Sequence, residues 1–272
     1  MSTLNTVPAP DEVGRLYDRL TAMDTEGQGG SLHLGYWDLG ALDVPLVEAA
    51  DRLTDMMAER LRLSPGQRVL DVGCGLGQPA ARIAAAEDVH VTGVSISREQ
   101  VKRATELAEK ADFASRLEFQ HGDAMRLPFA DASFDAVVAI ESIFHMPDRE
   151  QVLAEIARVL KPGGRITLTD FFARGPIPDD QKEAVERCLR DFIMTLADVD
   201  DYLPMLRRAG LRVVELWDIS EHSVGPTFAQ MASVDNHQLD PVFDAEEKKF
   251  TPADLVDVDE FGSLLLTAQK PG

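Results

Sequence analysis

Short apolar runs alternate with helical segments along residues 67–172. The apolar runs have the length of buried strands, and they are QRVLDV, VHVTGVSIS, LEFQHGDA, SFDAVVAIES and RITLTDFF. The segments between them are predicted as helices and include QPAARIAAAE, SREQVKRATELAEKA and REQVLAEIARVL. This alternation predicts a parallel sheet with right-handed crossovers and with helices on both of its faces.

The chain after residue 173 has a different pattern. Residues 174–197 and 221–259 are helical segments interrupted by prolines and charges, and they flank one more strand, LRVVELWDIS. A last strand, FGSLLLTAQK, follows them. We therefore expect a doubly wound α/β fold with a mostly parallel, seven-stranded sheet. Helical segments, among them one around 181–195, are expected to form a lid over the carboxyl ends of the strands, where ligands bind in such folds.

Composition narrows the classes of function. The formal net charge is −20 and the acidic residues are dispersed, which leaves no basic stripe for a nucleic acid. No apolar run is long enough to span a bilayer and the N-terminus lacks the pattern of a signal peptide, so we expect a cytoplasmic protein without a membrane partner. Cys74 and Cys188 are far apart in the chain, and we expect both to be thiols.

The segment VLDVGCGLGQPA, residues 69–80, carries three glycines between a predicted strand and a predicted helix. Gly73, Gly75 and Gly77 bring bare backbone and a helix N-terminus close to a nucleotide-like ligand. The dinucleotide fingerprint spaces its glycines as G-x-G-x-x-G, whereas the third glycine comes one residue sooner in this chain. The spacing therefore favours a different adenosine ligand.

Further polar side chains follow the next strands at the same expected edge of the sheet. Ser95 occupies the position where a carboxylate usually holds ribose hydroxyls, and the amide of the nearby Gln100 can take over that task. Asp123 ends the third strand, and its carboxylate can accept a hydrogen bond from the amino group of adenine while Met125 packs on the ring. Successive strands thus offer a partner for each part of an adenosine.

Four motifs in this order, VLDVGCGLG, GDAMRLPF, SFDAVVAIES and VLKPGGRITLTDF, resemble those of the class I S-adenosylmethionine-dependent methyltransferases. LHLGYWD, VTGVSISREQV and ESIFHMPDR are similar to segments of small-molecule O-methyltransferases of actinobacterial natural-product pathways, the rebeccamycin sugar O-methyltransferase-like group. The resemblance spans about residues 11–271. It implies a Rossmann-like fold, S-adenosylmethionine as the cofactor and a small molecule as the acceptor.

The resemblance also implies which residues bind the cofactor. It places the three glycines along the methionine part, Gln100 on the ribose, and Asp123 with Ala124 on adenine. Ile140 and His145 are expected to flank the cofactor. The complete set of expected cofactor ligands is Tyr36, Asp71, Gly73, Gly75, Gly77, Gln100, Asp123, Ala124, Met125, Ile140 and His145.

We expect a single methyltransferase-like domain over residues 1–272. Residues 1–62 supply N-terminal helices and a loop that covers the cofactor, residues 63–173 form the nucleotide-binding core, and residues 174–272 form the lid helices and the last strands. The covering loop contains His33, Tyr36 and Trp37.

The candidate catalytic residues are His145 and Asp170. A sulfonium already activates the methyl group, so the enzyme has to align an acceptor oxygen and remove its proton. The related enzymes carry two adjacent histidines before MPD and an aspartate at the end of the fifth strand; His145 matches the second histidine, Asp170 matches the aspartate, and Phe144 replaces the first histidine. Base catalysis therefore falls to His145 with Asp170, or is absent.

Three functions are compatible with these observations. The first is methyl transfer to a hydroxyl of a secondary metabolite such as a polyketide or a glycoside. Because Phe144 replaces a base, the second keeps the cofactor bound while the protein promotes a cyclisation without methyl transfer. The third is an NADP-dependent oxidoreductase with Ser95, Ser97 and Arg98 around a 2′-phosphate, against which the glycine spacing argues. The acceptor, the methylated type of atom and the oligomeric state stay open.

Each assignment also has a purely structural interpretation. Asp123 and Asp170 can cap turns, Gln100 can face solvent, and His145 can order its loop. Tyr36 and Trp37 can be core aromatics. No metal site is predicted, because the remaining histidines show no ligand spacing with one another or with cysteine; they are His90, His121, His222 and His237.

Overall fold

The strands of the described residues form one sheet. The computed structural model describes residues 7–22, 33–233 and 249–272, so His237 and part of the predicted segment 221–259 lie outside the described residues. The strands are β1 (Arg68–Val72), β2 (His90–Ser95), β3 (Leu117–His121), β4 (Phe134–Ala139), β5 (Leu160–Ala173), β6 (Arg212–Asp218) and β7 (Phe261–Gln269). The α-helices are α1 (Pro10–Thr21), α2 (Leu46–Leu61), α3 (Gln78–Glu87), α4 (Arg98–Glu109), α5 (Arg149–Val159), α6 (Lys182–Asp191), α7 (Val199–Arg208) and α8 (Ser220–Ser233).

The order of the strands is β3-β2-β1-β4-β5-β7-β6. The first five strands pair in parallel, whereas β7 lies antiparallel between β5 and β6. The order reverses on either side of β1, so the crevice between the ends of β1 and β4 is the place where such folds bind ligands. The prediction of a doubly wound, mostly parallel, seven-stranded sheet is confirmed.

Both faces of the central strands are buried. Leu70 and Val137 pack into an apolar cluster with residues of α5 and α7. Val69 and Val138 point the other way and pack with residues of α2 and α3. Parallel strands that are covered on both faces need apolar residues at every position, which explains why the sequence shows runs instead of strict alternation.

Two of the helices that follow β5, α6 and α8, pack in a separate apolar cluster. α6 and α8 contribute Val185 and Phe228, and a short helix at Pro252–Leu255 joins them. Phe144 and Phe171, from the ends of β4 and β5, belong to the same cluster. The C-terminal helices therefore lie beside the carboxyl edge of the sheet.

The start of β5 differs from the prediction. The predicted strand RITLTDFF starts at Arg165, but β5 begins at Leu160 and includes the segment KPGG, residues 161–164. Phe134 of β4 lies opposite Leu160, and Ala136 lies opposite Arg165, so the register shifts between these two pairs. Residues 161–164 thus lie against the single residue Asp135, and this irregularity accommodates turn-forming residues inside the strand.

A carboxylate of α1 forms hydrogen bonds with the first turn of α4. Asp18 Oδ1 accepts hydrogen bonds from the hydroxyl of Ser97 (2.5 Å) and from the backbone amide of Glu99 (3.2 Å). Ser97 is itself the N-cap of α4, because its Oγ accepts from the amide of Gln100. A carboxylate at a helix N-terminus also interacts favourably with the helix dipole. This contact, which we call the α1 clasp, holds α1 beside the first turn of α4.

Candidate active site

The carboxyl ends of β1 to β4 line a cavity, and α1 forms one of its walls. Among the residues expected from the sequence to bind a cofactor, those that line this cavity are Asp71, Gly73, Gly75, Gln100, Asp123, Ala124, Met125, Ile140 and His145. α1 contributes Pro10, Val13 and Tyr17, and His33 lines the cavity as well. The fold thus brings together residues that are separated by more than one hundred positions in the chain.

The glycine loop needs its glycines for two different reasons. Gly75 has a φ of 52°, and a Cβ atom added to it would meet nothing within 4 Å, so this residue leaves space open beside the cavity. A Cβ on Gly73 would collide with the side chain of Ser142. A Cβ on Gly77 would lie 2.8 Å from Phe119 Cζ and 3.0 Å from Ala104 Cβ.

Gly77 does not line the cavity, in contrast to the expectation from the sequence. It stands in the left-handed region with a φ of 87°, as the N-cap of α3. Its missing side chain allows Ala104 of α4 and Phe119 of β3 to approach closely, so this glycine is needed for the turn and the packing. The sequence motif alone does not separate these two uses of a glycine.

Asp71 presents an unpaired oxygen in the wall of the cavity. Its side chain is 2% exposed, and Oδ2 has no hydrogen-bond partner among the described residues. Burial raises the pKa of Asp71 to about 7. A buried acceptor without a partner is costly, and a cationic or N–H group of a ligand would satisfy it.

Gln100 and Asp123 each make one bond within the protein. Gln100 is buried, and its Oε1 accepts from the hydroxyl of Ser95 at 2.7 Å, which leaves its amide N–H groups as the donors for a ligand. Asp123 Oδ1 accepts from the amide of Met125 at 2.8 Å and so caps the short helix Ala124–Arg126. The cap uses one of the two carboxylate oxygens. Capping and ligand binding are therefore compatible at Asp123.

His145 forms a hydrogen bond with Tyr17, a residue that sequence reasoning missed. The Tyr17 hydroxyl lies 2.6 Å from Nε2, and Nδ1 lies 3.1 Å from the carbonyl oxygen of Ile193. Because a carbonyl only accepts, Nδ1 carries the hydrogen and Nε2 accepts from Tyr17. Burial lowers the pKa of His145 to about 4, and the charge of Arg149 acts in the same direction. His145 is therefore neutral at physiological pH.

Asp170 does not reach the cavity, so the structure differs here from the expectation of a catalytic pair with His145. Its carboxylate is 0% exposed. It accepts from Arg149 Nε at 2.7 Å and from the hydroxyl of Tyr202. Phe144 is also buried and stacks on Phe171, with ring centroids 4.8 Å apart. A base at the position of Phe144 is absent, and an aromatic contact takes its place.

Glu141 connects the end of β4 to the N-terminal segment. Its two carboxylate oxygens lie 3.0 and 3.1 Å from the backbone amide of Leu34, which donates to them. Its backbone has a φ of 45°, and its own amide donates to Thr169 Oγ1 at 3.0 Å. Burial raises the pKa of Glu141 to about 8. This contact places His33, the neighbour of Leu34, at the cavity wall.

Tyr36 and Trp37 do not line the cavity. The ring of Tyr36 stacks on His222 at a centroid distance of 4.8 Å. Trp37 is 1% exposed, and its indole N–H donates to the carbonyl of Val44 at 2.8 Å. In this structure the rings of both residues pack against other parts of the protein, which agrees with the alternative that they are core aromatics.

Within the described ranges, no group of three or more His, Cys, Asp or Glu side chains is arranged to hold a metal ion. In the same part of the chain, no helix has both the length and the apolar character needed to cross a bilayer. Cys74 and Cys188 are both buried free thiols.

Comparison with known proteins identifies the family. Residues 70–168 match the family described as methyltransferase domain. The chain is 41% identical over 268 residues to the methyltransferase GfsG of Streptomyces halstedii, which covers 96% of this chain and 94% of that protein. It is 45% identical over 221 residues to the 27-O-demethylrifamycin SV methyltransferase of Amycolatopsis mediterranei, with 80% of each protein covered.

Solved structures agree with this assignment. The crystal structure of the (4+2)-cyclase SpnF is similar over 100% of this chain and 99% of its own, with a TM-score of 0.81 and 31% identity. A geranyl diphosphate methyltransferase has a TM-score of 0.80 at 17% identity over 96% of this chain and 98% of its own, which is a likeness of fold. This chain belongs to the class I S-adenosylmethionine-dependent methyltransferases.

The residues present fit the cofactor of this family, S-adenosylmethionine. The space at Gly75 allows backbone to approach a ligand, and the unpaired oxygen of Asp71 is suited to a positively charged group. Gln100, in the first turn of α4, and Asp123, just after β3, line the same cavity with donor and acceptor atoms for an adenosine.

We expect Gly75→Ala to weaken the binding of S-adenosylmethionine at least about tenfold, because the added methyl group enters space that the ligand needs. Calorimetric titration of the folded variant measures this. Gly210→Ala is the matched control, since Gly210 also has a positive φ (76°) and open space around it but lies outside the cavity. Equal affinities of the two variants would contradict the role of Gly75.

The buried neutral His145 should make the fold sensitive to acid. His145 takes up a proton near pH 6.5 in the unfolded chain and near pH 4 in the folded protein, so the free energy of unfolding falls as the pH drops through this window. We expect His145→Gln to remove up to about 3 kcal/mol of this fall. Urea unfolding at several pH values measures it.

His90→Gln, a change of the same type at an exposed position, is the control variant. Asp71 and Glu141 have raised pKa values and act in the opposite direction, since their contribution is lost as the pH rises. The difference between wild type and each variant isolates the histidine. A pH slope that His145→Gln does not alter would refute the assignment.

Proposed function

We propose that this protein transfers the methyl group of S-adenosylmethionine to a hydroxyl oxygen of a secondary metabolite, such as a polyketide or a glycoside. The observation that carries the proposal is the hydrogen-bonded pair of Tyr17 and His145 in the wall of the cavity, beside the glycine loop. A hydroxyl and a neutral imidazole can bind an acceptor hydroxyl and take up its proton. The rifamycin methyltransferase and other O-methyltransferases among the relatives support the same type of reaction.

The chemistry asked of the protein is positioning and removal of one proton. S-adenosylmethionine, when bound, supplies a methyl group that its sulfonium makes electrophilic, and the electron pair of the broken carbon–sulfur bond stays on sulfur. The Tyr17 hydroxyl already donates to His145 Nε2, so its oxygen can accept the hydrogen bond of the acceptor. As the new oxygen–carbon bond forms, the proton of the acceptor passes to the Tyr17 oxygen and the Tyr17 proton passes to Nε2.

The low pKa of His145 makes this pair a weak base. General-base catalysis contributes about 10² to 10⁴ in rate, and a poorly matched pKa places the contribution at the lower end. Alignment of two reactants can be worth an effective molarity of about 10⁵ M or more. We therefore assign most of the rate enhancement to the walls that hold the two ligands in line.

The remaining roles follow from placement around the cavity. We assign Gly73 and Gly75 to the methionine part of the cofactor, Gln100 to the ribose hydroxyls, and Asp123 with Ala124 and Met125 to adenine. Asp71 takes a cationic or N–H group, and Ile140 packs against the ligand. The net charge of −20 and the free thiols support a small-molecule partner, no nucleic acid, and a cytoplasmic location.

One observation favours a second candidate function, a cyclisation without methyl transfer. Phe144 fills the position of a base with an aromatic ring, and the similar structure of SpnF is that of a cyclase. In this case the pair of Tyr17 and His145 would bind and orient a polar group of the substrate, and the cofactor would remain intact.

The two functions are separated by incubating the protein with hydroxylated polyketides and glycosides and with cofactor labelled in its methyl group. We expect a product that is one methyl group heavier than the substrate, formed in step with S-adenosylhomocysteine. A product with the mass of its substrate, formed equally well with S-adenosylhomocysteine, would establish the cyclase and overturn the proposed function.

Tyr17→Phe tests the role of the hydrogen-bonded pair of Tyr17 and His145, on which the proposal rests. We expect kcat to fall by about 10² with a smaller change in cofactor affinity, because the variant keeps the ring but loses the proton acceptor. Tyr36→Phe is the matched control, since Tyr36 lies outside the cavity, and it should keep the rate of the wild type. An unchanged kcat in Tyr17→Phe would remove Tyr17 from the reaction.

A further inference from the structure

Asp170 lies behind the cavity, in a network that closes around its carboxylate. Oδ2 accepts from Arg149 Nε at 2.7 Å and from the Tyr202 hydroxyl. Oδ1 accepts from Arg149 Nη2 at 3.2 Å and from the amide of Phe171 at 2.8 Å. Both oxygens are thus engaged, and Asp170 does not line the cavity.

Arg149 connects Asp170 to Thr195 through hydrogen bonds. Its Nη1 donates to Thr195 Oγ1 at 2.6 Å, and its Nη2 donates to the Thr195 carbonyl at 2.7 Å. The amide of Thr195 donates to the carbonyl of Phe144 at 3.0 Å, and Oγ1 donates to the same carbonyl at 3.2 Å. The chain of contacts from Asp170 therefore ends at the residue that precedes His145.

Ile193 is the second point at which this network meets His145. Ile193 has a φ of 53°, in the left-handed region that a β-branched residue rarely adopts. Its carbonyl is the partner of His145 Nδ1. Such a conformation persists only when the surroundings hold it, and Thr195, two residues further on, is fixed between Arg149 and Phe144.

We infer that Asp170 is a positioning residue, which acts through Arg149 and Thr195 to hold the Ile193 carbonyl against His145 Nδ1. This carbonyl selects the tautomer with hydrogen on Nδ1, and Nε2 is then always the acceptor for Tyr17. The fixed tautomer does not depend on the proposed function. Only its use in methyl transfer rests on that function. The aspartate takes no part in proton transfer.

The tautomer can be measured directly in the cofactor-free, full-length protein by ¹⁵N NMR of the histidine side chains. We expect wild-type His145 to be neutral with hydrogen on Nδ1. In Asp170→Asn and Thr195→Val, we expect a mixture of both tautomers, because the segment around Ile193 is released. Thr195→Ser keeps the hydroxyl and should restore the wild-type signal.

Asp135→Asn is the control variant. Like Asp170, Asp135 lies on a strand and forms an ion pair, so the variant shows what the loss of such a pair does by itself. Asp135 bonds Lys161 Nζ at 2.7 Å at the opposite end of β4, and its variant should leave the His145 signal unchanged. If Asp170→Asn fails to fold because Arg149 is left without its partner, Tyr202→Phe and Thr195→Val carry the test with the ion pair intact. A single Nδ1–H tautomer in every folded variant of the network would overturn the inference.

Kinetics then distinguish this inference from the proposed function. Once an acceptor that the protein methylates has been identified, its turnover can be measured. Thr195→Val should lower kcat about tenfold or more with little change in KM, and Thr195→Ser should restore kcat. A mixed tautomer in a protein that transfers no methyl group would support the positioning role while the proposed function fails. Unaltered kcat and an unaltered tautomer in Thr195→Val would refute the positioning role and leave methyl transfer standing.

Discussion

The parallel pairing of β1 with its two neighbours is the constraint on which the site depends. Val72 lies opposite Val94, and Asp71 lies opposite Val138, so three strands end at one level. The ladder continues into the glycine loop, where the amide of Gly73 donates to the carbonyl of Val94 at 2.8 Å. A slip by one residue would turn Asp71 to the other face of the sheet and separate the loop from the residues after β2 and β4.

The parts that could be predicted from the sequence depend on neighbours in the chain. Strand length, helical spacing and the glycine turn are local, and they predict the sheet and the position of residues such as Asp123. Tyr17 was missed because its partner, His145, is 128 positions away; the available signal was a tyrosine on the apolar stripe of α1. Asp170 is expected to be catalytic because it matches the strand-end aspartate of the related enzymes, and the sequence carries no local sign of the arginine and tyrosine that enclose its carboxylate.

Burial brings the groups around the cavity towards their neutral forms. It raises the pKa of Asp71 and Glu141 and lowers that of His145. The protein has a large negative net charge, yet burial disfavours the charged forms of these three residues in the cavity wall. A positively charged ligand therefore enters surroundings in which Asp71, whose pKa is raised by burial to about 7, can ionise.

The α1 clasp ties the lifetime of a bound ligand to the stability of a short helix. Pro10, Val13 and Tyr17 form one wall of the cavity, so a ligand that fills the cavity contacts α1 and stabilises it against local opening. The coupling is reciprocal, so a more stable α1 also strengthens the binding of any ligand that contacts it. A firmer clasp would therefore lengthen the residence of the spent cofactor as well, which makes the strength of one carboxylate contact a compromise between retention and turnover.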